Sequence, residues 1–180
     1  KLWFATHFHG LYRMSPDGRF INYVHRTGNP KTVPGNNLNN IFLDSRGKLW
    51  IGTEGEGLAL FNPSTGKVER RFTEALGGLP SNIIYSTQED MNGNIWVSTG
   101  GGLVKISADD YSIRDFRYLE NLLKIHYTHN SSLRSGKGDM LYFGGSGGFI
   151  AFDPASIRKN DIVPAVRITD FFVNGLRDKR

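Results

Sequence analysis

The chain has no cysteine among its 180 residues, so neither a disulfide framework nor a thiolate metal site is available to it. No apolar stretch approaches the ~20 residues that cross a bilayer as a helix. Apolar residues at helical spacing are missing as well, which argues against a solenoid of paired helices. Like charges never gather into a block. The 22 basic and 17 acidic side chains are interspersed and leave a net charge of +5, so nucleic acid is not an expected partner. An initial methionine is also absent, and the opening Lys1-Leu2-Trp3-Phe4 already lies inside a pattern that recurs downstream. The expectation is a segment cut from a longer protein, for which missing targeting signals carry no information.

Glycine, by contrast, is abundant, with 22 residues. Residues 50–61, "WIGTEGEGLALF", place three glycines after an apolar run, the setting in which a phosphate-cradling loop is suspected. Such a loop occurs once per domain, whereas this stretch has relatives starting at Leu2, Ile95 and Leu141. None carries the Lys-Ser or Lys-Thr pair of a nucleotide loop, and no helical pattern follows. The glycines therefore read as a repeated hairpin turn. The aromatic anchors Trp3, Trp50, Trp96 and Tyr142 advance in steps of 47, 46 and 46 residues. Leu11, Leu58, Leu103 and Phe149 advance by 47, 45 and 46, each after a glycine.

Within one period four short strands can be read. In the second repeat they are "NIFLD", "KLWIGT", "GLALF" and "KVERRF"; in the third, "IIYSTQ", "NIWVST", "GLVKI" and "SIRDF". Four short strands per unit of ~40–50 residues is the pattern of a β-propeller blade. The expected fold is all-β: a propeller fragment of about four blades, each a four-stranded antiparallel sheet, with under about a tenth of the residues helical. The chain enters at the second strand of one blade and leaves after the third strand of the fourth, so an arc of a larger ring is expected. Asp44 and Asp90 sit six residues before a tryptophan, with Gly47 and Gly93 three before it. A carboxylate there accepts backbone N–H groups two residues on, and the glycine takes the positive-φ turn position. The fourth repeat has Gly136 in place of the aspartate. Residues 1–157 are assigned to blades. Residues 158–180 read as a linker and, over 166–173, the first strand of a following β-sandwich.

Residues 39–66, "NNIFLDSRGKLWIGTEGEGLALFNPSTG", and 79–107, "LPSNIIYSTQEDMNGNIWVSTGGGLVKIS", resemble the two-component regulator propeller repeat. The tail 151–175, "AFDPASIRKNDIVPAVRITDFFVNG", is similar to the junction at which the last blade meets the three-tyrosine (YYY) sandwich domain. The resemblance implies the periplasmic ectodomain of an inner-membrane hybrid two-component sensor that detects oligosaccharides released from polysaccharides. It further implies two seven-bladed propellers in the parent, a membrane helix that is the only link to the bilayer, and a homodimer. The kinase is not in this chain, and the segment itself is expected to be non-catalytic, with no cofactor.

The ligand rim of a propeller is built by the hairpins between second and third strands and by the connections between blades. Here these carry His7, Phe8, His9, Glu54 and Glu56 on hairpins, and Arg26, Lys31, Asn36 and Asn37 on the long first connection. Aromatic faces and planar polar groups suit a sugar, and Arg26 and Lys31 would suit an acidic one. His7 and His9 alone lack the further ligands zinc requires, so no metal is expected. Glu54 and Glu56 invite a glycosidase reading, but side chains two apart on a hairpin tip diverge. A glycan-acting propeller enzyme of sialidase or lyase type and a protein-interaction scaffold are the alternative functions.

Overall fold

The computed structural model describes residues 1–116, 125–136 and 139–157, and the backbone of 172–173 and 176–177. Among these residues there is no α-helix, only strands and one short 3-10 turn, Pro154–Ser156. The strands form consecutive antiparallel blades. The first holds β1 (Leu2–Thr6), β2 (Gly10–Met14) and β3 (Phe20–Tyr23). The second holds β4 (Leu38–Leu43), β5 (Leu49–Thr53), β6 (Leu58–Asn62) and β7 (Lys67–Phe72). The third holds β8 (Ile84–Glu89), β9 (Ile95–Thr99), β10 (Gly102–Ile106) and β11 (Ile113–Asp115). The fourth holds β12 (His126–Arg134), β13 (Leu141–Ser146) and β14 (Gly148–Phe152). Each sheet pairs its strands in chain order, so two complete four-stranded blades lie between two three-stranded ones. Of the strand expected at 166–173, only Phe172–Val173 is described, as β15, paired with β16 (Leu176–Arg177). The rest of it, and residues 174–175, lie outside the described residues.

Because strand side chains alternate between the two faces of a blade, a blade with a neighbour on each side buries both. All five residues of β5 and of β9 are buried for this reason. Leu49 and Ile51 join Leu11, Val33 and Phe61 between the first and second blades. Trp50, one residue out of phase, joins Leu58, Phe72, Ile84 and Val97 between the second and third. Trp96, with Leu103, Phe116, Leu141 and Phe143, fills the next gap. Trp50 and Trp96 thus occupy equivalent sites, 0% and 1% exposed. At the outer faces Leu2, Phe4, Phe20 and Phe149 remain exposed, as expected for an arc without a further neighbour.

The aspartate turns take the expected geometry and add a contact. Asp44 Oδ1 accepts the N–H groups of Arg46 (3.0 Å) and Lys48 (2.8 Å), while Oδ2 accepts the Trp50 indole N–H at 2.9 Å. Asp90 repeats this with Asn92, Asn94 and the Trp96 indole at 3.0, 2.9 and 2.9 Å. Gly47 and Gly93 have φ of 75° and 77°. One carboxylate therefore closes the turn and also satisfies the only polar atom of the plate that packs the next blade. Neighbouring blades are joined by a second carboxylate: Glu89 accepts the Ser45 N–H at 2.9 Å and the Ser45 hydroxyl at 2.7 Å.

Candidate functional site

The rim hairpins share one closure. Thr6, Thr53 and Thr99 each donate a side-chain hydroxyl to the carbonyl of Gly10, Gly57 and Gly102, at 2.7 Å in every case. The glycines that open β2 and follow Glu56 are fixed by crowding. A Cβ on Gly10 would lie 2.4 Å from the Tyr23 carbonyl oxygen, and one on Gly57 would lie 2.2 Å from that of Phe72. With φ near +75° at both, no L side chain fits. The blade-to-blade connections are held in the same repeated way. Asn36 Oδ1 accepts the His25 N–H at 2.8 Å, and Asn82 Oδ1, one period later, accepts the Glu74 N–H at 2.9 Å.

These loops shape a cleft of about 410 Å³ lined by Phe8, Gly35, Asn36, Asn37, Thr53, Glu54 and Glu56. Five of the residues expected at the rim are thus brought together. Phe8 stands 74% exposed at the tip of its hairpin with φ of 73°, a conformation that costs a non-glycine residue of order 1–3 kcal/mol and clusters at functional sites. Asn36 is occupied by its structural bond to His25. Asn37 accepts the Glu54 N–H through its own carbonyl at 3.3 Å, and its buried side-chain oxygen has no partner among the described residues. Glu54 and Glu56 do diverge. Glu54 accepts from the Asn39 side-chain amide and lies 3.4 Å from His129 Nε2, whereas the Glu56 side chain lies against Gly35.

The remaining candidates fall elsewhere. His7 and His9 are exposed, with the His7 ring 5.9 Å from Phe8 and His9 Nδ1 3.3 Å from the His7 carbonyl. Among the described residues no group of three or more metal-ligating side chains forms. Arg26 and Lys31 face a different cavity, at the seam of the first and second blades.

The structure also adds residues the sequence did not single out. In β12 the register shifts between Tyr127 and Ser132, so residues 128–131 bulge out of the sheet opposite Gly144. The bulge reaches back past β8 to the second blade. Asn130, at φ of 54°, accepts the Asn40 amide at 2.8 Å and donates to the Asn39 carbonyl at 3.1 Å. The His129 ring lies 5.2 Å from that of Tyr85. Asn39 and Asn40 are each only 5% exposed, and the side-chain oxygens of both are unpartnered among the described residues. The run "NNLNN" at 36–40 was the available signal, since its second half opens an innermost strand.

Comparisons with known proteins agree with this architecture. The family model described as "Two component regulator propeller" matches residues 32–55 and 78–101. A curated relative, "Histidine kinase P4" of Formosa agariphila, is 31% identical over 94% of this chain and 16% of its own length. A solved extracellular domain assigned to the hybrid two-component system BT4673 of B. thetaiotaomicron is 25% identical, with a TM-score of 0.70 over 86% of this chain and 21% of that one. Virginiamycin B lyase from Staphylococcus aureus shares the fold alone, at 16% identity and a TM-score of 0.56 over 81% of this chain and 49% of that one. The chain spans a small part of the sensor proteins it matches. Among the described residues no helix is long and apolar enough to cross a membrane. The chain carries two-component regulator propeller repeats, folded as an arc of a β-propeller.

Proposed function

We propose that this arc belongs to the ligand-sensing periplasmic part of a hybrid two-component sensor, and that it is non-catalytic and responds to oligosaccharides released from polysaccharide. The observation that carries the reading is the rim cleft. A strained, exposed Phe8 shares the cleft with the two carboxylates and with Asn37, whose side-chain oxygen is buried and unpartnered among the described residues. An aromatic face suits the apolar side of a sugar ring, and fixed acceptors suit its hydroxyls. A glycosidase would need two carboxyl groups across one scissile bond, whereas Glu54 is tied to Asn39 and His129 and Glu56 turns to Gly35. On this reading residues 158–180 lead into the following sandwich domain, and the parent works as a homodimer.

Calorimetric titration of the complete ectodomain with neutral oligosaccharides tests the site. Phe8→Ala and Asn37→Ala should each weaken binding about tenfold, with no sugar cleaved on prolonged incubation. Binding unchanged in both variants removes the rim cleft from consideration, and turnover removes the sensory reading.

A further inference from the structure

We propose that the seam between the first and second blades is a second site, one that takes the carboxylate or sulfate of an acidic sugar unit. The cavity there measures about 250 Å³ and is lined by Tyr23, Arg26, Asn29, Lys31, Phe61 and Lys67, among others. Arg26 and Lys31 come from the connection 24–37, and Lys67 opens β7. The backbone under them is fixed. The Arg26 N–H donates to the Thr32 hydroxyl at 3.1 Å, and the Lys31 N–H donates to Asn29 Oδ1 at 3.0 Å. The Lys31 carbonyl accepts the Val68 N–H at 2.8 Å, tying the connection to β7.

Arg26, Lys31 and Lys67 all line the cavity, and no carboxylate does. Among the described residues none of the three forms a salt bridge. Glu69, further along β7, is already engaged: Lys48 Nζ donates to both its oxygens at 2.7 Å and Asn62 donates at 2.7 Å. Those bonds, Lys48's first, hold its carboxyl below the ordinary value, with Lys31 only a minor contributor. An anion seated there would gain charge-assisted contacts without displacing an existing salt bridge.

The floor favours a sugar over a bare anion. Tyr23 packs with Trp3, at 5.7 Å, and Phe61, at 5.2 Å, in a three-ring cluster, which fixes an aromatic wall on the cavity. The volume is below that of pockets for drug-sized ligands, so one sugar unit fits rather than a chain. The connection 24–37 separates this basic cavity from the rim cleft, which is lined by Glu54 and Glu56 and by no cation. An acidic unit is therefore repelled at the rim and attracted at the seam. This site is independent of the reading given for the rim.

The test is calorimetry on the complete ectodomain with a glucuronate-bearing and a sulfated oligosaccharide, their carboxyl-reduced and desulfated counterparts, and inorganic sulfate. An acidic oligosaccharide should bind, lose at least about tenfold in affinity when neutralised, and lose as much in Lys31→Ala/Lys67→Ala. Added salt should weaken it similarly. All three basic side chains are exposed, so the double variant should keep the wild-type melting temperature and its affinity for neutral sugars. Phe8→Ala should affect neutral-sugar binding alone. Unchanged acidic-sugar affinity in the double variant, or no binding of either acidic probe, overturns the site. Sulfate binding as tightly as the oligosaccharides overturns its assignment to a sugar.

Discussion

The aspartate that closes each inner turn should be worth more than a surface turn residue, and Asp44 allows the amount to be worked out. Its carboxylate is 0% exposed and serves two backbone N–H groups and the Trp50 indole. Asp44→Ala strands all three donors in a region where water has little access. A buried donor left unpaired costs about 1–3 kcal/mol. The indole is fully buried and carries the upper end of that range; the two turn N–H groups lie nearer solvent and carry the lower end. The expected loss is about 3–5 kcal/mol. Asp44→Asn separates the contributions, because its amide oxygen can still serve the turn while its NH₂ faces the indole N–H, donor against donor. That variant should lose about 2 kcal/mol, and the loss should shrink in a Trp50→Phe background, where the opposing donor is gone. Urea denaturation followed by circular dichroism measures the wild type and the four variants, Trp50→Phe alone included. A loss below about 0.5 kcal/mol for Asp44→Ala, the range of ordinary surface changes, would falsify the proposed role.

Three further outcomes follow from the same packing. Trp50→Ala and Trp96→Ala should each cost ~3–5 kcal/mol, and by similar amounts because the two plates are equivalent; a large difference between them breaks the equivalence. Gly57→Ala should cost more than Gly47→Ala. Both have positive φ, for which about 1–2 kcal/mol is expected, but only at Gly57 would the new Cβ strike backbone, whereas Gly47 has open space around it. Equal losses would mean that the hairpin yields. The Tyr127 hydroxyl is buried without a partner among the described residues, and burial pushes it from the ordinary 10.0 up to about 12. Unfolded chains then ionise first as pH rises. The contribution is complete below pH 10 and disappears towards pH 12, amounting to at most about 2–3 kcal/mol. Tyr127→Phe should flatten that part of the stability profile without lowering stability at pH 7. A profile identical to wild type would show that the hydroxyl is solvated.

Most of the fold was legible in the sequence because a propeller repeats one local solution. Each blade is made of neighbours in sequence, so strand lengths, hairpin glycines and the Asp-to-Trp spacing are readable within a single period of about 46 residues. The equivalence of Trp50 and Trp96 followed from spacing alone. The bond between the aspartate and the tryptophan was less visible, although both residues had been noted. Sequence separation gives their distance along the chain, not the direction in which the indole N–H points.

The site was legible only where it is local. Phe8, Asn36, Asn37, Glu54 and Glu56 belong to loops that topology places on one rim, and they share a cleft. Arg26 and Lys31 lie on the same connection as Asn36 and Asn37 yet face another cavity. A connection of that length folds back on itself: Thr32 N–H bonds the Asn29 carbonyl and Val68 N–H bonds that of Lys31, turning its first half away from the rim. The contribution of the fourth blade was out of reach altogether. His129 and Asn130 meet Glu54 and Asn40 across 75 and 90 residues of sequence. They do so only because β12 departs from the blade pattern over 128–131, where the repeat offers nothing to align. Periodicity reveals what the blades have in common. The proposed site draws on places where a blade departs from that pattern, and residues such as Phe8 and Asn130, both non-glycines at positive φ, are ones that the repeat alone would pass over.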